Sequence, residues 1–276
     1  MTLTDNITFM VQLALREDVG DGDLTADLIA ADTMAEATVI CREAAVLSGR
    51  AWFNEVFRQV DLKVIVEWHF EDGDHIPADA IICSLHGPAR SLLTGERAAL
   101  NFVQTLSATA TQTNRYVQLL ADTKARILDT RKTLPAFRLA QKYAVTCGGG
   151  KNHRVGLYDM ILIKENHIMA AGSITKAIET ARKLHPNVKI EVETETLAEF
   201  EEACAADADI IMLDEFDLDT MRQAVENNPK KIPLEASGGV NLDTVRAIAE
   251  TGVDLISVGE ITKNIDAIDL SMRFKH

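Results

Sequence analysis

Arg131, Lys132, Arg154 and Lys164 are the side chains with the clearest chemical meaning in this chain. Arg131 and Lys132 come just after the apolar run Arg126–Leu128, and Lys164 follows Met160–Ile163, so three of the four stand at the C-terminal ends of candidate strands. Arg154 closes the glycine-rich stretch Cys147–Arg154 (CGGGKNHR). From Arg131 to Lys164 there are seven basic residues against one acid, Asp159, in a chain that holds 28 basic and 42 acidic residues and a formal net charge of -14. Solubility does not sort charge by sign in this way. Arg138 and Lys142, one helical turn apart, read as a solvated helix face. The others read as an anion site, since the loops after parallel strands converge on ligands and Arg suits bidentate contacts to carboxylate or phosphate.

The remaining strand ends carry complementary chemistry. Glu193 and Asp214 end two successive strands, where they suit hydrogen bonds to sugar hydroxyls or a Mg²⁺ ion whose other ligands are substrate phosphates and water. Ser237-Gly238-Gly239 and Gly259-Glu260 end the last two, a corner where backbone amides hold phosphate in βα barrels. Plain turn chemistry accounts for the same glycines. CGGGKNHR is not a Walker loop, because Lys151 is followed by Asn152; its glycines free backbone N–H groups, and His153 and Arg154 add side-chain donors. Arg97 lies in LTGERAAL (93–100), which reads as a helix start with Thr94 as cap. A cation there opposes the helix dipole by about 0.3–1 kcal/mol. A functional role and a salt bridge to a distant acid explain it equally well.

Such side chains need a scaffold to bring them together. Apolar runs at Arg126–Leu128, Met160–Ile163, Lys189–Val192, Ile210–Leu213, Ile232–Leu234 and Leu255–Val258 alternate with helical patterns at Ser173–Leu184, Leu197–Ala205, Leu218–Val225 and Leu242–Glu250. That alternation predicts βα units on a parallel sheet, hence a compact and incomplete βα barrel. An open doubly wound sheet is the alternative, although no GxGxxG follows a strand. The first half differs. A helix over Ile7–Leu15 capped by Thr4 or Asp5, strands at Ala37–Cys41, Lys63–Phe70 and Ile81–Leu85, and a long helix from Ser91 to Ala121 predict an α+β layer domain.

Bulk properties narrow the class. With net charge -14, a nucleic-acid backbone or anionic membrane is repelled by the average field. No apolar run reaches the roughly 18 residues of a membrane span, and the acidic N-terminus lacks the basic start of a signal peptide. Cys41, Cys83, Cys147 and Cys204 are far apart, which argues against zinc and disulfides and predicts a cytoplasmic protein. Cys147 reads as a buried thiol without a paired base. Asp18–Asp23 (DVGDGD) lacks the spacing and terminal Glu of a calcium loop.

Taken in order, GERAALNF (95–102), DTRKTLP (129–135), GGGKNHRVGLYD (148–159), KENHI (164–168), EVE (191–193), LDEF (213–216), EASGG (235–239) and ISVGE (256–260) resemble the quinolinate phosphoribosyltransferases. The resemblance covers essentially the whole chain. It departs from the family at Ala136, where Gly is frequent, at Glu165, where Asp is usual, and at Ser107–Thr111. It implies the type II phosphoribosyltransferase architecture: an N-terminal α/β sandwich domain over 1–110, an incomplete parallel βα barrel over 111–266, and a tail, 267–276, that rejoins the first domain. It implies transfer of phosphoribosyl from 5-phosphoribosyl 1-diphosphate to quinolinate with Mg²⁺, releasing carbon dioxide and diphosphate, in de novo NAD synthesis. It implies a homodimer or an assembly of dimers in which Arg97 reaches the neighbouring site.

By the same resemblance Arg131, His153, Arg154 and Lys164 would bind the two carboxylates, with Thr130 beside them. Lys132, Glu193 and Asp214 would be catalytic, the two acids also holding Mg²⁺, directly or through water. Ser237, Gly238, Gly239, Val258, Gly259 and Glu260 would cradle the 5-phosphate. A phosphoribosyltransferase for nicotinate or another pyridine acid is the nearest alternative, and a non-catalytic phosphate-ligand sensor on the same barrel is an alternative of another class.

Overall fold

The computed structural model describes residues 2–275. Its contacts divide the chain into two compact units. The first takes the residues up to Asn114, the insert Pro135–Gly149 and the chain from Asn264; the second takes Arg115–Leu134 and Gly150–Lys263. The division thus falls inside a helix, at Asn114 rather than 110, and returns at Asn264, and 135–149 belongs with the first unit instead of the barrel. Packing explains the insert: Tyr143 lies against Trp52, ring centroids 5.5 Å apart, and its hydroxyl donates to Asp72 Oδ2 at 2.7 Å.

In the first unit, α1 (Leu3–Val19) starts with a capping box at Thr2, earlier than Thr4 or Asp5: Thr2 Oγ1 accepts the Asp5 N–H, and the Asp5 carboxylate accepts the Thr2 N–H. The strands are β1 (Met34–Cys41), β2 (Ala45–Val46), β3 (Ile65–Trp68), β4 (His75–Ile76), β5 (Ala80–Pro88) and β12 (Leu270–Phe274). Four of them form an antiparallel sheet in the order β12-β1-β5-β3, and β2 pairs with β4. The helix α2 (Arg50–Val60) buries Trp52, Phe53, Val56 and Phe57, whose spacing puts them on one face. Phe53 meets Phe57 and Trp68 with centroids 5.1 Å apart in each case.

The long helix α3 (Ala89–Leu119) overturns the reading of Arg97 as a first-turn cation. Leu93–Leu100 lies inside it. Thr94 caps no helix; its hydroxyl donates to Asp23 Oδ2 at 2.8 Å, and Asp23 Oδ1 accepts the N–H groups of Thr25 and Ala26 at 3.0 Å, which is the work of the DVGDGD stretch. Gly95 is required because a Cβ there would come within 2.6 Å of the Phe57 ring. In Ser107–Thr111 the hydroxyls of Ser107 and Thr111 accept the backbone N–H groups of Ser48 and Val46 at 3.0 and 2.8 Å. On α4 (Arg138–Cys147), Lys142 is only 2% exposed and Arg138 is half-buried, so the two are not a solvated face.

The second unit is a six-stranded parallel sheet in the order β6-β11-β10-β9-β8-β7. Its strands are β6 (Arg126–Leu128), β7 (Ile161–Ile163), β8 (Ile190–Thr194), β9 (Ile210–Asp214), β10 (Leu234–Ser237) and β11 (Leu255–Ser257). From β7 to β11 each strand pairs with the next in sequence, and β11 then pairs with β6. The order never reverses, so the unit is singly wound like a barrel, and the doubly wound alternative is excluded. The helices are α5 (Glu165–Ala171), α6 (Ile174–Leu184), α7 (Leu197–Ala205), α8 (Leu218–Glu226), α9 (Val245–Ala249) and α10 (Glu260–Lys263). Beside β6, Lys151 takes the place of a strand: its N–H donates to the Ile127 carbonyl and its carbonyl accepts the Asp129 N–H. α9 is shorter than Leu242–Glu250 because the Asn241 side chain accepts the N–H groups of Asp243 and Thr244 and turns the chain first.

Candidate active site

Side chains alternate along a strand, so residues two apart share a face. Leu162 on β7 and Lys164 just after it, Met212 and Asp214 on β9, Glu235 and Ser237 on β10, with Glu193 on β8 and Ser257 on β11, all line one cavity of about 400 Å³. Thr130, Arg131, Lys132, His153 and Arg154 complete the wall with Glu215, Gly238 and Gly239. Every residue of this cavity belongs to the second unit.

At the mouth, cations and acids are interleaved. Lys164 Nζ hydrogen-bonds Glu193 Oε2. Arg154 is held by the Met160 carbonyl, which accepts from Nη1 at 3.2 Å. Burial, and then the charge of Arg131, lower the Arg154 pKa from its ordinary value, while Glu191 and Asp159 act in the opposite sense. Cations gathered in this way call for nearby acids or an anionic ligand to offset their charge. Arg97 is exposed in the middle of α3 and does not line this cavity.

The other end is a cradle. A second cavity, of about 200 Å³, is lined by Thr130, Lys132, Ser237, Gly238, Gly239, Val240, Ser257, Gly259, Glu260 and Lys263. Gly238 has φ +95, and a Cβ there would lie 2.5 Å from the Glu215 carboxyl carbon. At Gly259 a Cβ would lie 2.9 Å from Lys132 Cδ, so the glycine lets the Lys132 stem cross the strand end. Thr262 Oγ1 donates to the Lys132 carbonyl at 2.9 Å, and Thr130 Oγ1 accepts the Lys132 N–H at 3.0 Å. Val258 does not serve here as expected: its side chain is buried and its N–H donates to the Leu128 carbonyl, joining β11 to β6.

The floor of the large cavity holds what sequence reasoning missed. Glu191 on β8 and Glu235 on β10 are 0% exposed and stand around His153. His153 Nε2 is 2.8 Å from Glu191 Oε2 and 3.5 Å from Glu235 Oε2. Nδ1 accepts the Arg154 N–H at 2.8 Å, and the His153 N–H donates to Asp129 Oδ1 at 2.9 Å. Both ring nitrogens are therefore engaged within the protein, which leaves His153 shaping the wall rather than reaching outward. Burial raises the pKa of both carboxyls; beside Glu191, that of Glu235 is pushed up to about 8. The signal was present in EVE and EAS, whose first residues lie one pleat beneath Glu193 and Ser237.

These side chains offer hard oxygen donors at Glu193 and Asp214, suited to Mg²⁺. Among the described residues the three convergent metal-type donors are His153, Glu191 and Glu235, and Glu193 and Asp214 have no such third partner. An ion at the mouth would thus take its further ligands from substrate and water.

Known proteins are similar in sequence and fold. The family model described as quinolinate phosphoribosyl transferase, C-terminal domain, matches residues 109–273, and the N-terminal domain model matches 23–107. A Bacillus subtilis (strain 168) protein named "Probable nicotinate-nucleotide pyrophosphorylase (carboxylating)" is 45% identical over 257 residues, 93% of this chain and 89% of that protein. A Nicotiana tabacum quinolinate phosphoribosyltransferase (decarboxylating) 1b is 38% identical over 98% of this chain and 83% of its own length. The solved nicotinate-nucleotide pyrophosphorylase from Francisella tularensis superposes with a TM-score of 0.97 at 49% identity, covering 100% of this chain and 98% of that one.

Proposed function

Since this chain belongs to the quinolinate phosphoribosyltransferase family, we propose that it joins quinolinate to 5-phosphoribosyl 1-diphosphate, giving nicotinate mononucleotide, carbon dioxide and diphosphate in de novo NAD biosynthesis. The observation that carries this reading is the single cavity in which Arg131, Arg154 and Lys164 converge, continuous in its lining residues with the Ser237-Gly238-Gly239 cradle. Two ring carboxylates fit the cations at one end; a sugar phosphate fits the glycines at the other.

Arg131, Arg154 and Lys164 hold the acid. Lys132, flanked by Thr130 and Gly259, meets the phosphate-bearing donor. Glu193 and Asp214 receive the ribose hydroxyls and lie where positive charge builds on the sugar as the bond to diphosphate lengthens. The ring nitrogen takes the anomeric carbon as diphosphate departs; the carboxylate next to the quaternised nitrogen is then lost as carbon dioxide, its bonding electron pair staying on the ring carbon beside the positive nitrogen until that carbon takes a proton from water. No covalent enzyme intermediate is needed; positioning and fixed charge supply the acceleration. Mg²⁺, held by Glu193 and Asp214 together with donor oxygens and water, would neutralise charge on the diphosphate. Arg97, exposed on α3, completes the acid-binding end from the neighbouring subunit of a dimer.

The test is product stoichiometry. Purified protein given quinolinate, the phosphoribosyl donor and Mg²⁺ should release one carbon dioxide and one diphosphate per mononucleotide. Turnover of nicotinate without carbon dioxide, or binding of the donor without diphosphate release, would overturn the assignment.

A further inference from the structure

Beneath the mouth cations sits a buried group that the transfer chemistry does not use. Glu191 and Glu235 are both 0% exposed. Glu191 Oε2 faces His153 Nε2 at 2.8 Å, and Glu235, beside Glu191 and Ser257, brings Oε2 to 3.5 Å from the same nitrogen. The opposite ring nitrogen, Nδ1, accepts the Arg154 N–H at 2.8 Å. An imidazole that accepts at Nδ1 carries its proton on Nε2, so Nε2–H donates to Glu191.

We propose that Glu191 is a positioning residue for the acid-binding end of the cavity: by accepting from His153 Nε2–H it fixes the tautomer and the ring plane from which the Arg154 main chain hangs. This deepens the activity assigned above and rests on it. Arg154 has two tethers, the His153 ring at its N–H and the Met160 carbonyl at its guanidinium. The first is set by Glu191 through the imidazole. The loop is clipped again where the His153 N–H meets Asp129 Oδ1 at 2.9 Å at the end of β6. Glu191 thus acts on substrate only through Arg154, which makes its effect specific to one end of the cavity. A divalent metal at the same three side chains would need the Nε2 lone pair, which this tautomer does not offer.

The experiment compares Glu191→Met, which removes the acceptor, with Glu191→Gln, which keeps an acceptor oxygen of similar reach. In E191M the quinolinate KM should rise about tenfold or more, as expected when a buried donor loses its partner, while the donor KM stays within about twofold. E191Q should recover most of that loss. Equal rises in both Michaelis constants, or an E191Q as impaired as E191M, would overturn the proposal.

Long-range ¹H–¹⁵N spectra of the wild-type His153 ring give a second readout that survives if E191M fails to fold. A protonated Nε2 with a bare Nδ1 is expected; a protonated Nδ1 or an imidazolium at neutral pH would contradict it. Calorimetric titration of the wild-type protein with Zn²⁺ alone should show no binding that E235Q abolishes, and such binding would make the cluster a metal site instead. Should wild-type protein fail to turn over quinolinate, the activity assignment fails while the ring spectrum still reports on Glu191.

Discussion

Two layers of acids in the same barrel behave in opposite ways. Glu193 and Asp214 stand only partly buried at the strand ends, whereas Glu191 and Glu235, one pleat lower on β8 and β10, are sealed from solvent. The residue type is the same; the environment differs. At the mouth, Lys164 hydrogen-bonds Glu193 beside the open cavity. On the floor, burial favours the protonated form of Glu235 and leaves Glu191 to hold an imidazole. The contrast teaches that depth decides what a carboxyl does: at the strand ends it opens on the cavity, and one pleat lower it is sealed against an imidazole.

Removing the divalent cation should have the largest effect and act on the mouth alone. Chelation should abolish turnover and leave the melting temperature unmoved; a protein that melts earlier without the ion would place the metal on the floor. Arg131→Ala should lower kcat/KM for quinolinate by about a hundredfold or more, as for loss of a fixed charge at a reacting centre, with a normal far-ultraviolet spectrum. Near-normal kinetics in that variant would remove Arg131 from the acid site.

Gly238→Ala should raise the KM of the phosphoribosyl donor by about tenfold, because φ +95 is costly with a Cβ and Glu215 lies 2.5 Å from it. A change confined to the quinolinate KM would misplace the phosphate cradle.

The smallest effect belongs to the floor and is read in stability. Burial pushes the Glu235 carboxyl up from its ordinary value, about 4.5 in the unfolded chain, to about 8 in the fold. Between those values the folded state holds a proton that the unfolded state has released, so stability falls as pH rises through that window. Glu235→Gln should therefore flatten the decline in Tm between pH 5 and pH 8. An unchanged slope would show that Glu235 is ionised in the fold and would erase the distinction between the layers.

The mouth was legible in the sequence because its residues follow apolar runs and bunch their charge. Arg131, Lys132, Lys164, Glu193 and Asp214 are found this way, and all line the cavity. The floor was hidden for a physical reason. β10 was expected at Ile232–Leu234, an apolar run, yet Pro233 stands in that run and the strand is Leu234–Ser237, whose inward residues are polar because they face the cavity. Strands that line a polar pocket lose the hydrophobic signature by which strands are found. Arg97 was misplaced through local reasoning: Thr94 looks like a cap only when the helix that began at Ala89 is ignored.

Ala136 takes a left-handed backbone, φ +61, and no spacing argument reveals a backbone angle. Lys142 was hidden because its burial depends on packing that local sequence does not encode.

The affinity of the wild-type protein for quinolinate relative to nicotinate, measured by calorimetry under one buffer, tests the cationic mouth most directly. An added carboxylate meeting Arg131, Arg154 and Lys164 should make quinolinate bind about tenfold tighter or more. Equal affinities would mean that the second carboxylate finds no partner there, and that the convergence of these cations serves some other anion.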